Sequence, residues 1–147
     1  MDRIKLHLPE TFPFSTHLRI RITDLNYGGH VGNDSFLSLV HEARQQFLFF
    51  YGYSELDFAG VGLIMADVGI EYKAELNYKD EVKISVAASG FDKIGFDIYY
   101  LLELVKEDRL LLAGKVKTGM ICFDYSHKKK VAIPGEALIK MSSPAIL

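Results

Sequence analysis

The chain has 147 residues, of which 49% are hydrophobic and 24% are charged. This length suits one domain, and this composition is typical of a packed globular protein and excludes a disordered or fibrous one. With 17 basic and 19 acidic residues the formal net charge is -2, so there is no basic surplus to neutralise a nucleic-acid backbone.

The hydrophobic runs of the sequence are short. The longest, at residues 58–66, is about half of the roughly 20 residues that a membrane span needs. The amino-terminal residues show no apolar stretch behind a basic head, and a single cysteine, Cys122, cannot form an internal disulfide. We therefore expect one domain over residues 1–147, located in the cytoplasm, without membrane insertion and without a nucleic-acid partner.

The first third of the chain predicts a strand, a loop and a long helix. Apolar and polar residues alternate over residues 17–23, as in a half-buried strand. Residues 24–33 contain three glycines and two asparagines, which favour a structured loop. From residue 34 to residue 51, apolar side chains recur at steps of three and four, so we expect a helix with a buried face, capped by Asn33 or Asp34.

The remaining two-thirds of the sequence is rich in strand patterns. Apolar alternation and apolar runs predict strands over residues 63–72, 82–88, 96–105 and 110–123. One long helix and an antiparallel meander define an α+β fold in which the sheet packs on the helix. Because one helix cannot cover so wide a sheet, a sheet face and a sheet edge are left open, and we expect a homo-oligomer.

The junction between the polar loop and the helix is the most promising place for chemistry. The first turn of a helix leaves backbone N–H groups without helical partners, and the helix dipole adds positive charge there. Such a position stabilises a carbonyl oxygen that gains negative charge, as in acyl transfer. The sequence has no zinc-ligand spacing, no nucleotide-binding glycine motif and no nucleophile elbow, so we predict no metal and no organic cofactor.

The residues of this junction form a recognisable motif. They read Asp24-Leu25-Asn26-Tyr27-Gly28-Gly29-His30-Val31-Gly32-Asn33, then Phe36, then Glu42-Ala43-Arg44. This motif resembles that of the hotdog-fold thioesterases, whose 4-hydroxybenzoyl-CoA thioesterase-like branch usually has Asp-x-Asp-x-x-Gly-His-Val-Asn-Asn, then an aromatic residue, then Glu-Ala-Arg. Weaker resemblance lies at Ile70-Glu71-Tyr72, Asp80-Glu81-Val82 and Ile133-Pro134.

The resemblance implies both a fold and an activity. The fold is an antiparallel sheet wrapped around one long helix, with two protomers dimerising through the sheet. The activity is hydrolysis of an acyl-CoA or acyl-carrier-protein thioester, in which coenzyme A is part of the substrate. The active site is implied to lie at the interface of a homodimer or homotetramer, where the backbone N–H of Asn33 polarises the thioester carbonyl.

One position departs from the family motif, since Asn26 stands where the family has its second acid. In those enzymes the carboxylate attacks the thioester or activates water, and an amide does neither efficiently. Asn26 can still hydrogen-bond a water molecule or the thioester. A non-catalytic protein that binds acyl thioesters, or a structural protein of the same fold, is therefore the alternative.

We expect catalytic roles for Asn26, His30 and Glu42. His30 is either a base that works near neutral pH or a structural residue whose ring locks the loop. In plant acyl-carrier-protein thioesterases, which the loop also resembles, His30 and Glu42 match catalytic positions. Glu42 lies roughly 13 Å along the helix axis from the cap. It therefore either serves the site less directly or pairs with Arg44, Gln46 or a neighbouring strand.

Three further residues complete the candidate site. We expect Asp24 and Gly29 to structure the loop, with Asp24 accepting bonds from backbone N–H groups. Asp67 lies inside an otherwise apolar strand and is a reserve base, because burial would raise the pKa of its carboxyl group. At a strand edge or facing solvent it has a structural role instead.

Overall fold

The computed structural model describes residues 1–142. Within this range the chain runs through strand β1 (Phe14–Arg19), helix α1 (Asn33–Phe50), strands β2 (Gly62–Tyr72), β3 (Glu81–Ser89), β4 (Gly95–Val105), β5 (Leu110–Asp124) and β6 (Lys129–Lys130), and helix α2 (Gly135–Ser142). A single 3-10 turn, Ile22–Asp24, lies between β1 and α1. None of the helices in residues 1–142 is long and apolar enough to cross a membrane.

The strands form one antiparallel sheet in the order β1-β3-β4-β5-β2, and β6 extends the sheet from the end of β5. Side chains of the sheet that alternate towards α1 are buried, among them Val82, Ile84 and Val86 of β3. Helix α1 contributes a buried stripe to the same core, which comprises Phe36, Leu39, Val40, Ala43, Arg44, Phe47 and Leu48. The predicted α+β fold, a sheet around one long helix, is confirmed.

The bounds of β1 differ from the prediction. The alternating pattern over residues 17–23 predicts a strand there, but β1 ends at Arg19. The chain turns because the carboxylate of Asp24 accepts the backbone N–H of Arg21 at 2.7 Å. Ile22, which the pattern assigns to the buried side of the strand, is consequently 64% exposed.

The start of α1 also differs from the prediction. The capping position is Gly32, and neither Asn33 nor Asp34 caps the helix, because Asn33 is already its first residue. The first helical bond runs from the N–H of Phe36 to the carbonyl of Gly32 at 2.8 Å. Helix α2 was not predicted, since only two of its side chains, Ala137 and Met141, are buried.

Candidate active site

The amino end of α1 opens onto a cleft of about 360 Å³. The cleft is lined by His30, Val31, Asn33, Phe36, Tyr72, Lys73, Ala74, Glu75 and Leu76. Three segments therefore meet there, namely the loop before α1, the first turn of α1 and the chain that follows β2. The predicted meeting point of loop and helix is thus part of a cleft.

The loop before α1 is a tight, hydrogen-bonded turn. The N–H of Asn26 donates to the carbonyl of His30 at 2.9 Å, and the side-chain oxygen of Asn26 accepts the N–H of Gly28 at 2.8 Å. Gly29 has a φ of 83°, a conformation that favours glycine over residues with a side chain. These contacts place His30 at the wall of the cleft and Asn26 beside the start of the helix.

The segment after β2 holds the other side of this loop. The N–H of Val31 donates to the carbonyl of Leu76 at 2.9 Å, and His30 forms an isolated bridge with Asn77. The Nε2 atom of His30 lies 3.8 Å from a carboxylate oxygen of Glu75. Sequence reasoning missed this segment, because its local pattern gives no signal for a partner more than forty residues away.

The first turn of α1 presents free amides. The N–H groups of Asn33, Asp34 and Ser35 precede the first helical bond, and they form no hydrogen bond with any of residues 1–142. Gly32, the N-cap residue of α1, has no side chain and makes no side-chain capping hydrogen bond. Asn33 is one of the residues that line the cleft, so the first turn of α1, with the positive end of the helix dipole, lies at the cleft wall.

The aromatic wall of the cleft joins α1 to the end of β2. The rings of Phe36 and Tyr72 contact each other edge to face with their centroids 5.0 Å apart. Phe36 is buried, whereas Tyr72 is half exposed at the sheet edge. The cleft therefore combines an apolar wall with polar groups at the helix start, which suits a ligand with both characters.

Asp24 lies below the loop rather than in the cleft. Its side chain is buried, accepts the backbone N–H of Arg21 and lies 3.6 Å from the guanidinium of the same residue. These contacts are the ones expected of a carboxylate that holds a turn together.

Glu42 is not brought to the cleft within one protomer. It lies on the exposed side of α1, where its carboxylate accepts the side-chain N–H of Gln46 at 3.2 Å. The contact with Gln46 is one of the alternatives that the sequence left open. Arg44 instead pairs with Glu55, with 2.6 Å between Nε and the carboxylate oxygen.

Asp67 also lies away from the cleft and is not buried, so the condition for a raised pKa is not met and the side chain has the solvent-facing position that the sequence left open. The side chain is 64% exposed, and its carboxylate accepts the ammonium of Lys117 at 2.8 Å and the N–H of Gly119 at 3.0 Å. The hydrogen bond from Lys117 lowers the pKa of Asp67 below its ordinary value. A carboxylate stabilised in its ionised form is a weaker base, so the reserve role has no support from its surroundings.

Residues 1–142 contain no cluster of three or more His, Cys, Asp or Glu side chains that could hold a metal ion. The polar groups that line the cleft include the imidazole of His30, the amide side chain of Asn33, the carboxylate of Glu75 and backbone groups. Such groups polarise a carbonyl and orient or deprotonate a water molecule.

Comparison with known proteins identifies the family. The sequence profile of the thioesterase-like superfamily matches residues 20–141. The chain therefore belongs to the thioesterase-like superfamily. A protein of Aquifex aeolicus (strain VF5) named "Putative esterase" is 26% identical over 128 residues, which make up 86% of this chain and 95% of that protein.

Solved structures show the same fold. A thioesterase-superfamily protein from Jannaschia sp. CCS1 superposes with a TM-score of 0.81 at 18% identity, covering 92% of this chain and 84% of that chain. An Asp-to-Asn mutant of 4-hydroxybenzoyl-CoA thioesterase, complexed with 4-hydroxybenzoyl-CoA, superposes with a TM-score of 0.79 at 12% identity, covering 88% of this chain and 98% of that chain. The predicted hotdog fold is confirmed.

Proposed function

We propose that the protein hydrolyses an acyl-CoA or acyl-carrier-protein thioester to the free acid and the thiol. The observation that carries this proposal is the uncapped start of α1 at the wall of the cleft. A thioester oxygen that accepts the N–H of Asn33 gains negative charge as water attacks. The free amides and the helix dipole stabilise that charge more in the transition state than in the bound substrate.

His30 is the group best placed to activate the water. A neutral imidazole can accept a proton from water, and the carboxylate of Glu75 at 3.8 Å stabilises the imidazolium that results. The water oxygen bonds to the carbonyl carbon, the carbon–sulfur bond breaks, and the proton held by His30 passes to the leaving thiolate. Glu42 has no part in this proposal, because it lies on another face of α1.

Asn26 takes a donor role in place of the family's acid. Its side-chain oxygen is occupied by the N–H of Gly28, and a Cβ added to Gly32 would lie 3.6 Å from its side-chain nitrogen. That nitrogen therefore faces the start of α1, where it can donate to the attacking water or to the thioester oxygen. Water activation in this protein then depends on His30 rather than on a carboxylate at position 26.

We also propose that two protomers pair through β2. This strand lies at the edge of the sheet, and residues 65–68 are exposed in succession. Met65 and Val68, both large and apolar, are 42% and 40% exposed. The amino-terminal segment contacts β2 at Gly69 and Glu71, so the continuous exposed part of this edge strand is residues 65–68. Exposed apolar side chains on an edge strand favour pairing with another chain.

The test is thiol release from a panel of acyl-CoAs by the wild type, Asn26→Asp and His30→Ala. The wild type should turn over at least one substrate, and His30→Ala should lower kcat by about a hundredfold or more through loss of the base. Asn26→Asp should keep or increase the rate. His127→Ala is the matched control, since His127 lies on the β5–β6 turn and contacts Asp124.

The same assay can contradict the proposal. If neither the wild type nor Asn26→Asp hydrolyses any thioester, although calorimetry shows that acyl-CoA binds, the protein is a non-catalytic thioester-binding protein. The absence of an acid at position 26 favours that second function. Full activity of His30→Ala would instead overturn the choice of base.

A further inference from the structure

Tyr27, at the tip of the loop before α1, is a fully exposed aromatic residue. Its relative exposure is 106%, and its side chain has no ring contact and no hydrogen bond with any of residues 1–142. The tip itself is well supported, because Leu25 and Val31 form a bridge below it and Asn26 bonds to the N–H of Gly28 above it. A hydrogen-bonded turn thus presents a tyrosine ring entirely to solvent.

Tyr27 is close in the chain to the residues that line the cleft. Tyr27 precedes His30 by three residues, so their Cα atoms are at most about 11 Å apart. A Cβ on Gly28 would lie 3.3 Å from Nε2 of His30, which shows that the imidazole packs against the tip. Tyr27 itself is not among the residues that line the cleft. Any contact that Tyr27 makes with a bound substrate is consequently with the part that extends out of the cleft.

The chemistry of a thioester indicates which part that is. An apolar acyl group would pack against the wall formed by Val31, Phe36 and Leu76, and the thiol carrier would extend towards solvent. Coenzyme A ends in a nucleotide with a planar adenine, whereas the phosphopantetheine arm of a carrier protein has no ring. Aromatic side chains hold bases by stacking on their faces, and tyrosine does so with little loss of side-chain freedom.

We propose that Tyr27 stacks on the adenine base of coenzyme A and thereby makes the protein select CoA thioesters over carrier-protein thioesters. This inference rests on the proposed function, because it places the acyl group of the substrate in the cleft at the start of α1. It assigns to Tyr27 a specificity role and no part in the chemical step.

The test compares ligands with and without the nucleotide. Calorimetry with CoA and with pantetheine is performed on the wild type, Tyr27→Ala and Tyr27→Phe. Tyr27→Ala should weaken CoA binding about tenfold, within the range for loss of one base stack, and should leave pantetheine binding unchanged. Tyr27→Phe keeps the ring and should bind CoA as the wild type does. Phe49→Ala, which removes a ring that is 80% exposed in the last turn of α1, is the control.

The inference is overturned by unchanged CoA binding of Tyr27→Ala, by an equal loss of pantetheine binding, or by a change in oligomeric state that shows the ring to lie between protomers. Binding needs no turnover, so the two proposals fail separately. A protein that binds CoA through Tyr27 and hydrolyses nothing contradicts the proposed function alone. If the enzyme is active and Tyr27→Ala does not change its KM for acyl-CoA, only the stacking proposal is contradicted.

Discussion

Arg44 is a cation held inside the core of the protein. Its guanidinium bonds to Glu55 at 2.6 Å and to the hydroxyl of Tyr100 at 3.3 Å, and that hydroxyl lies 2.7 Å from the hydroxyl of Thr118. Burial raises the pKa of Tyr100, so its hydroxyl remains protonated. This network joins α1 to the segment after it and to strands β4 and β5.

Removal of the cation should destabilise the protein strongly. Arg44→Met removes the cation that Glu55 and Tyr100 share, and within residues 1–142 it leaves Glu55 with only His41 at 3.5 Å and Tyr100 with only Thr118. We expect the free energy of unfolding to fall by about 2–4 kcal/mol. Urea unfolding followed by circular dichroism measures this change. Arg21→Met is the matched control, because the Arg21 side chain is 76% exposed and its loss should change stability by less than about 1 kcal/mol. Equal effects of the two variants would show that the network contributes nothing.

Single residues differ in how far the sequence predicts them. The helical period places Arg44 close to the buried stripe of α1, but Glu55 lies beyond the end of the helix and no local pattern connects the two. Asp67 shows the same limit, since the register of β2 shifts between Met65 and Asp67. An irregularity of this kind changes the side to which a side chain points, and simple alternation cannot predict it.

At the scale of elements, the first turn of α1 packs closely against the sheet, where Phe36 contacts Gly114 of β5. A Cβ added to Gly114 of β5 would lie 2.6 Å from the ring of Phe36 and 3.1 Å from the backbone oxygen of Glu71. The absence of a side chain at Gly114 therefore lets the helix start approach the strand that carries the aromatic wall of the cleft.

Gly114→Ala should consequently weaken this packing. The added methyl group forces Phe36 or the strand to move, and we expect a loss of about 1–3 kcal/mol in the free energy of unfolding. Thermal unfolding of Gly114→Ala beside Gly135→Ala tests this, because a Cβ at Gly135 meets no atom within 4 Å. The packing argument is wrong if Gly114→Ala unfolds at the wild-type temperature.

Periodicity predicts the longer elements well. Strands β2 to β5 and helix α1 have bounds within one residue of those expected, because their apolar patterns extend over many residues. The bounds of short elements cannot be predicted from periodicity. The turn that ends β1 depends on one hydrogen bond of Asp24, and α2 buries too few side chains to show a period.

At the scale of the whole molecule, strand order depends on long-range pairing that no local pattern encodes. β1 and β2 are consecutive strands in the chain, separated by α1, but they lie at opposite edges of the sheet. The cleft depends on the same long-range pairing, because the segment after β2 reaches the loop before α1 through Val31 and Leu76. The sequence could therefore indicate the helix start as a site, but not the wall opposite it.

The open edge of β2 gives a prediction about assembly. Light scattering of the purified protein should give twice the mass of one chain, because pairing through β2 covers Met65 and Val68. The double variant Met65→Lys with Val68→Lys should be monomeric, since lysine at a strand edge opposes pairing. Leu56→Lys changes a residue that is 81% exposed outside β2 and should remain dimeric. A wild type that is monomeric and fully active would contradict this assembly.

The amide of Asn33 is the group on which the account of catalysis depends most. Asn33→Pro deletes this N–H and keeps the helix, because proline is favoured at the first helical position and Gly32, with φ -75° and ψ 165°, already has the conformation that a following proline requires. Asn33→Ala removes the side chain and keeps the amide.

The most direct measurement is therefore kcat for thioester hydrolysis by these two variants, with unfolding temperatures measured alongside. We predict that Asn33→Pro lowers kcat by about 10²–10³, as does loss of other oxyanion donors, at an unchanged unfolding temperature. Asn33→Ala should retain wild-type activity. Wild-type activity of Asn33→Pro would show that the thioester oxygen does not bind at the start of α1.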